Sequence, residues 1–190
     1  MAIEQLRTVA DYYAYVDSLP PESPKTELIN GRIVVAARPV IRHARYLRDI
    51  LEAINVYIRT HHLAGEVFPE IEIVLDEHTI LVPDILYTET NSPLSRLASE
   101  RLYGAPEWVC EILSPSTQAN DEQDKYLAYL KAGVREYWLV DPDAPAGGRF
   151  RLFERVAEGP TSGMPAFQRI EGGPVNSRLF PGIKIDEGLL

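Results

Sequence analysis

Two apolar runs decide how this chain folds, because each carries one carboxylate where a core side chain is expected. They are Ile80-Leu81-Val82-Pro83-Asp84-Ile85-Leu86-Tyr87 and Trp108-Val109-Cys110-Glu111-Ile112-Leu113. Their length and their apolar and aromatic content predict two buried strands. A buried carboxylate is costly to desolvate unless a cation, a metal ion or hydrogen-bond donors stabilise it. Asp84 and Glu111 therefore indicate a built site on neighbouring strands, and a divalent metal is its expected occupant.

The first half of the chain adds helices and strands around these two runs. Helical patterns predict a short helix over Thr8–Ser18 and a long one over Ile41–His62. The dipeptide Asn30-Gly31 predicts a type I′ turn inside a hairpin over Glu27–Val35, since both turn residues need positive φ. The alternating segment Glu70–Leu75 predicts another strand.

The second half is expected to begin with a loop over residues 88–106. A helix follows over Asn120–Ala132, opened by a capping box of Asn120 and Gln123. Three further strands are predicted, at Arg135–Val140, Arg149–Val156 and Phe167–Ile170. The alternation predicts an α/β (α+β) fold with a central mixed β-sheet flanked by helices. With 190 residues the chain is expected to form a single domain, 1–190, with an N-terminal helical extension over about 1–24.

Composition limits the function classes. The net charge of −9 and the pI of about 5 argue against a basic surface that binds nucleic acid non-specifically. They do not exclude a nuclease, because a metal site itself needs carboxylates. Four arginines within residues 38–48 are interpreted as the solvated side of a helix. The single cysteine excludes an internal disulfide, and the chain has neither a signal-peptide pattern nor an apolar stretch that could cross a bilayer. Together these features predict a cytoplasmic protein without membrane association.

Side-chain alternation along the second predicted strand places Glu111 and Cys110 on opposite faces. Residues two apart on a strand share a face, so Glu111 faces with Val109 and Leu113 while Cys110 points the other way. Cys110 is therefore interpreted as a core thiol, not as a nucleophile. A hard cation such as Mg²⁺ prefers oxygen ligands and keeps open positions, which a phosphate oxygen and a nucleophilic water can occupy.

An ordered set of motifs carries a family resemblance. In chain order they are Glu27-Leu28-Ile29-Asn30-Gly31, His43, Pro83-Asp84, Glu111-Ile112-Leu113-Ser114-Pro115-Ser116-Thr117, Asp121 with Lys125, Tyr129, 132–142 and Leu179-Phe180-Pro181-Gly182. This set resembles the bacterial Uma family of restriction-endonuclease-like proteins, within the PD-(D/E)xK nuclease superfamily. The resemblance implies a restriction-endonuclease-like core and hydrolysis of DNA phosphodiester bonds, with Asp84 and Glu111 binding Mg²⁺ or Mn²⁺.

The chain departs from the superfamily pattern at one position. The superfamily has a lysine two residues after its second acidic residue, where this chain has Leu113. The resemblance implies that Lys125, on the following helix, supplies the ammonium group instead. From spacing alone, a solvated Lys125 paired with Asp121 at i,i+4 is equally acceptable.

Two more residues match family positions, and each has a structural alternative. Glu27 would be an outer metal ligand or orient one; otherwise it is an exposed residue at the start of a strand. His43 would donate to a substrate phosphate or shuttle a proton near neutral pH; otherwise it is a packed histidine at the start of a helix. The expected catalytic set is therefore Asp84, Glu111, Lys125, Glu27 and His43.

Two other functions use the same residues or the same fold. One is a non-catalytic nucleic-acid- or protein-binding module, because a fold does not guarantee chemistry. The other is a hydrolase acting on RNA or on a different phosphoester. A homodimer is expected on the ground that cutting both strands of DNA needs two sites, although no residue pattern demonstrates one.

Overall fold

A computed structural model of the protein describes residues 6–35, 40–98, 100–114, 118–159, 163–173 and 175–185. The helices are α1 (Val9–Asp17), α2 (Ile41–His61) and α3 (Tyr126–Ala132), and a π-helical segment, Asn120–Lys125, runs directly into α3. None of the helices in these ranges is long and apolar enough to cross a membrane.

Twelve strands lie in the described residues. They are β1 (Thr26–Ile29), β2 (Arg32–Val35), β3 (Gly65–Pro69), β4 (Ile73–Asp76), β5 (Thr79–Leu81), β6 (Ile85–Glu89), β7 (Ser95–Leu97), β8 (Leu102–Gly104), β9 (Trp108–Ile112), β10 (Glu136–Val140), β11 (Phe150–Val156) and β12 (Ala166–Arg169). They form two six-stranded sheets. The central sheet has the order β12-β11-β10-β9-β6-β3, and the outer sheet has the order β2-β1-β5-β4-β8-β7. Each sheet is mixed, since β9 and β10 are parallel in the first and β4 and β8 in the second.

The central sheet is buried on both faces. Helix α2 packs Tyr46, Ile50 and Ile54 against the face that carries Trp108 and Cys110. The opposite face carries Val109 and Leu113, which pack against α3 and the outer sheet. Glu111 shares that second face by strand alternation, so its carboxylate lies in the layer between the two sheets. The central mixed sheet flanked by helices that the sequence predicts is confirmed, and the outer sheet is an addition to it.

The turn and helix predictions in the first half are also confirmed. Asn30 and Gly31 have φ of 49° and 75°, as a type I′ turn between β1 and β2 requires. Helix α1 begins after a capping box of Thr8 and Asp11 and packs Tyr12 on the outer face of the outer sheet. The division of the chain into domains stays a prediction.

The prediction of one continuous strand over Ile80–Tyr87 is wrong, and Pro83 explains why. Proline has no N–H to give to a strand ladder, and it restricts the residue before it. The chain leaves the outer sheet after Leu81 and enters the central sheet at Ile85, so the first half of the run is β5 and the second half is β6. Asp84 lies in the short connection between the two sheets, so strand alternation does not determine which way its side chain points.

Three smaller predictions are corrected. The strand expected over Glu70–Leu75 begins at Ile73, because Glu70 adopts φ of 51° after the unpredicted strand β3. The loop expected over 88–106 contains the short strands β7 and β8. The capping box expected at Asn120 does not form: Ala119 is already helical and has no side-chain cap, so Asn120 lies inside a helical run.

Candidate active site

The site centres on a buried lysine among three carboxylates. Lys125 Nζ lies 3.0 Å from Glu27 Oε2, 3.2 Å from Glu111 Oε1 and 3.3 Å from Asp121 Oδ1. Lys125 and Glu27 are each 5% exposed, Glu111 3% and Asp121 2%. The alternatives of a solvated Lys125 and an exposed Glu27 are therefore wrong, and the structure brings both residues together with Glu111.

Three separate elements deliver these four side chains. Glu27 comes from β1 in the outer sheet and Glu111 from β9 in the central sheet, while Asp121 and Lys125 come from the π-helical segment. Glu27 also accepts a hydrogen bond from the backbone N–H of Val82 at 2.7 Å, at the point where the chain leaves the outer sheet. The lysine therefore joins the two sheets and the helical layer at one point.

Side chains from both sheets hold the π-helical segment in place. Arg32 on β2 pairs with Asp124 at 2.9 Å, and Arg151 on β11 pairs with Glu122 at 2.5 Å. The hydroxyl of Tyr137 donates to the Asp121 carbonyl at 3.0 Å. Single π-turns inside helices are frequent at functional sites, and this one places Asp121 and Lys125 on the side of Glu111.

Asp84 forms the second part of the site, beside Glu111. Its Oδ2 accepts a hydrogen bond from the Ile112 N–H at 2.6 Å, and its Oδ1 lies 3.1 Å from His43 Nε2 in the first turn of α2. Because Ile85 pairs with Cys110 in the antiparallel register, the preceding Asp84 lies across from Glu111. Within the described residues the other nitrogen of His43, Nδ1, is buried and has no hydrogen-bond partner. The structure thus places all five residues of the expected set around one region.

Electrostatics fixes the charge of the lysine. Burial alone would lower the pKa of Lys125, but Glu111, Glu27 and Asp121 outweigh it and hold that pKa well above its usual value. Lys125 is therefore an ammonium donor and is unsuited to take up a proton. Burial also raises the pKa of Glu111 well above its usual value, with the neighbouring carboxylates adding to this and Lys125 opposing it. Burial lowers the pKa of His43, and its bond to Asp84 more than compensates, so the net shift is upward.

The donor set fits a hard divalent cation. Four carboxyl groups, those of Glu27, Asp84, Glu111 and Asp121, meet one ammonium and one imidazole. This leaves an excess of negative charge that a divalent ion bound by oxygen would neutralise. In the parts of the chain that the structure describes, no group of three or more His, Cys, Asp or Glu side chains is arranged to hold a metal. Two of these carboxylates with water completing the shell could hold such an ion, and Asp84 and Glu111 are the pair expected from the family resemblance.

Sequence reasoning missed two residues of the site. Asp121 is among the residues that carry the family resemblance, and spacing alone left it as the partner of a solvated Lys125; the structure buries it 3.3 Å from Lys125 Nζ. Tyr129 is among the residues that carry the family resemblance but had no role assigned to it; its hydroxyl donates to Glu111 Oε1 at 2.7 Å, and its side chain is fully buried. Nothing in a single sequence distinguishes such a tyrosine from one that only fills the core.

Several residues outside the expected catalytic set are located as follows. Cys110 is fully buried in the core against α2, which confirms the core-thiol interpretation. Tyr137 and Trp138 are fully buried, and the Tyr137 hydroxyl contacts the backbone of Asp121. Arg42, Arg45 and Arg48 are exposed, which confirms the solvated helix face; the fourth arginine, Arg38, lies outside the described residues.

Comparison with known proteins places the chain in a class and then in a family. The crystal structure of "a putative nuclease belonging to DUF820" from Anabaena variabilis ATCC 29413 has the same fold, with a TM-score of 0.64 at 23% identity over 87% of this chain and 84% of that one. The two chains therefore share a mixed α+β fold. Residues 9–186 match the Uma2 family, described as "Putative restriction endonuclease", and the chain belongs to that family. No curated protein matches the chain.

Proposed function

We propose that this protein is a metal-dependent endonuclease that hydrolyses DNA phosphodiester bonds. The observation that supports it best is the buried excess of carboxylates around Lys125 and beside His43. Burying these groups is unfavourable for a protein that only needs to fold, since an apolar cluster of similar volume is often as stable or more stable. Membership in a nuclease family supports the same conclusion.

Asp84 and Glu111 would hold Mg²⁺ or Mn²⁺ between the connection after Pro83 and strand β9. When bound, the ion would supply Lewis-acid chemistry, which polarises a phosphate oxygen and makes a bound water more acidic. The Ile112 N–H and His43 fix the orientation of Asp84, so that this carboxylate is presented in one rotamer. Glu111 is fixed from the opposite side by groups on the helical layer.

Lys125 supplies a permanent positive charge to the site. Its ammonium is suited to stabilising the charge that develops on the phosphate, because preorganised donors in a water-poor site are most effective there. Glu27 holds the ammonium in place from the outer sheet. Glu27 is thus assigned a supporting role around the metal ligands.

The buried Nδ1 of His43 has no hydrogen-bond partner within the described residues. Its raised pKa favours the imidazolium form, in which both ring nitrogens donate. Nε2 then donates to Asp84 while Nδ1 is left to donate to a substrate phosphate oxygen. His43 would therefore connect the metal ligand to the substrate.

The substrate and the cellular setting belong to the proposal as well. DNA is proposed as the substrate, in the cytoplasm, with a homodimer bringing two sites to the two strands. RNA or another phosphoester would engage the same residues, so the substrate has to be compared directly in the assay.

Asp84→Asn tests the proposed activity. The amide keeps the size of the side chain and can still accept the Ile112 N–H, but it loses the charge that holds a cation. We expect Mn²⁺-dependent cleavage of supercoiled plasmid by the wild type, and none by the variant, at an unchanged thermal midpoint. Asp76→Asn is the matched control: within the described residues the ion pair of that exposed carboxylate is with the surface residue Lys131, and the change should leave cleavage unchanged. Equal cleavage by wild type and Asp84→Asn, or none by either, would refute the proposal.

A second candidate is a binding module on the same fold. The net charge of −9 favours it over a nuclease that must approach a polyanion. Calorimetric titration with Mn²⁺ separates the two functions. A nuclease gives a heat of binding that both Asp84→Asn and Glu111→Gln remove, whereas a binding module gives no heat that depends on either residue.

A further inference from the structure

We propose that Tyr129 is a positioning residue that fixes the Glu111 carboxylate for cation binding. This inference rests on the proposed function, since it assigns to Tyr129 a role toward the same ion. Tyr129 lies on α3, four residues after Lys125 and one helical turn further along. Its hydroxyl donates to Glu111 Oε1 at 2.7 Å, which is shorter than the 3.2 Å from Lys125 Nζ to the same oxygen.

The two donors leave the carboxylate with one engaged and one open oxygen. Within the described residues both hydrogen bonds to Glu111 end on Oε1, and none ends on Oε2. Two donors on one oxygen restrict rotation of the carboxylate, because turning it would break both bonds at once. Oε2 is then held ready for a ligand, which is how partners behind a metal ligand usually act.

Tyr129 is itself held firmly enough to impose this orientation. Its side chain is fully buried, and its ring lies against that of Tyr137 at a centroid distance of 5.2 Å. Its carbonyl accepts the N–H groups of Gly133 and Val134, both at 3.1 Å, where α3 ends.

Lys125 alone does not explain why a second donor is needed. Its ammonium is shared among three carboxylates, with Glu27 the nearest at 3.0 Å. An ammonium shared in this way fixes the position of its partners weakly, because it can shift between them. Within the described residues the Tyr129 hydroxyl donates to Glu111 alone, and this directional bond fixes the orientation of the carboxylate.

The test is Tyr129→Phe, with Tyr57→Phe as the matched control. Each change removes one hydroxyl and keeps the ring; Tyr57 is a buried tyrosine on α2 whose hydroxyl donates to the Pro181 carbonyl at 3.0 Å. Calorimetric titration with Mn²⁺ should show a dissociation constant raised about tenfold in Tyr129→Phe, in the range seen when groups behind a metal ligand are removed. Tyr57→Phe should bind Mn²⁺ like the wild type.

Two further readouts separate positioning from a merely structural role. Urea unfolding in EDTA should show similar small losses of stability for both variants. In cleavage assays Tyr129→Phe should need a higher Mn²⁺ concentration for half-maximal rate while largely retaining the rate at saturation. Unchanged Mn²⁺ affinity of Tyr129→Phe, with normal binding by the wild type, overturns this inference alone. Absence of Mn²⁺ binding by the wild type overturns the proposed function and this inference with it.

Discussion

Replacing Lys125 by methionine is the perturbation that the structure constrains most tightly. Methionine nearly matches the length and volume of the lysine stem, so packing is kept while the ammonium is lost. Three buried carboxylates within 3.3 Å of Nζ then lose their common partner. Removing one partner of a buried ion pair costs about 3–5 kcal/mol, because the remaining charge stays buried without compensation. We expect Lys125→Met to lose about that much of its free energy of unfolding at pH 7.

The loss should depend on pH with a defined sign. Burial already raises the pKa of Glu111 above its usual value of 4.5, and removing the ammonium that opposes this shift raises it further. A raised carboxyl pKa means that the native state binds a proton that the unfolded chain has released, so stability rises as pH falls. The destabilisation of Lys125→Met should therefore be largest at pH 7 and above. It should shrink as the pH is lowered through the raised pKa of Glu111 toward 4.5.

Urea unfolding in EDTA, followed by tryptophan fluorescence, measures this directly because Trp108 and Trp138 are both fully buried. Lys131→Met is the control on the same helix; its ammonium is 77% exposed and pairs with a surface carboxylate. It should cost less than about 1 kcal/mol at any pH. The double variant Lys125→Met/Glu111→Gln should recover part of the loss, since it removes one of the stranded charges. If Lys125→Met and Lys131→Met cost the same, Lys125 is not a buried counter-ion and the description of the site is wrong.

Three other regions give independent predictions. Cys110 is buried and burial raises its pKa well above the usual value, so a thiol reagent at pH 8 should react only after unfolding in urea; rapid reaction of the native protein would contradict the core placement. Thr8→Ala should cost about 1 kcal/mol of unfolding free energy, because it removes the cap of α1, and no change in the denaturation midpoint would disprove that cap. Gly104→Ala should cost more than Gly133→Ala, for which about 1–2 kcal/mol is expected from positive φ alone. At Gly104 a Cβ would also lie 2.2 Å from the Leu94 carbonyl oxygen, whereas at Gly133 it meets nothing within 4 Å, so equal thermal midpoints would count against the turn before β9.

The sequence predicts the parts of this protein that depend on local pattern. The hairpin at Asn30-Gly31, the amphipathic helix α2 and the apolar strand β9 follow from turn chemistry and periodicity, which act over a few residues. Asp84 and Glu111 are conspicuous because they interrupt apolar runs. Lys125 was found only through the family resemblance, since its own spacing is equally typical of a solvated helix face.

The remaining features depend on contacts that are distant in sequence. Pro83 was visible, but whether it ends a strand or lies at its edge is decided by the second sheet and by Glu27, which accepts the Val82 N–H from 55 residues away. The short strands β7 and β8 have too few residues for a periodic signal. Tyr129 belongs to the site because α3 packs over β9, and the helical pattern alone gives no sign of the hydroxyl's partner.

The most direct test of the central claim is a crystal structure of the protein soaked in Mn²⁺, with the ion located by anomalous scattering. The account predicts one Mn²⁺ bonded to a carboxylate oxygen of Asp84 and to Oε2 of Glu111, with water in the other positions and the Lys125 ammonium beside it. An ion bound elsewhere, or carboxylates of Asp84 and Glu111 that share no ion at saturating Mn²⁺, would contradict it.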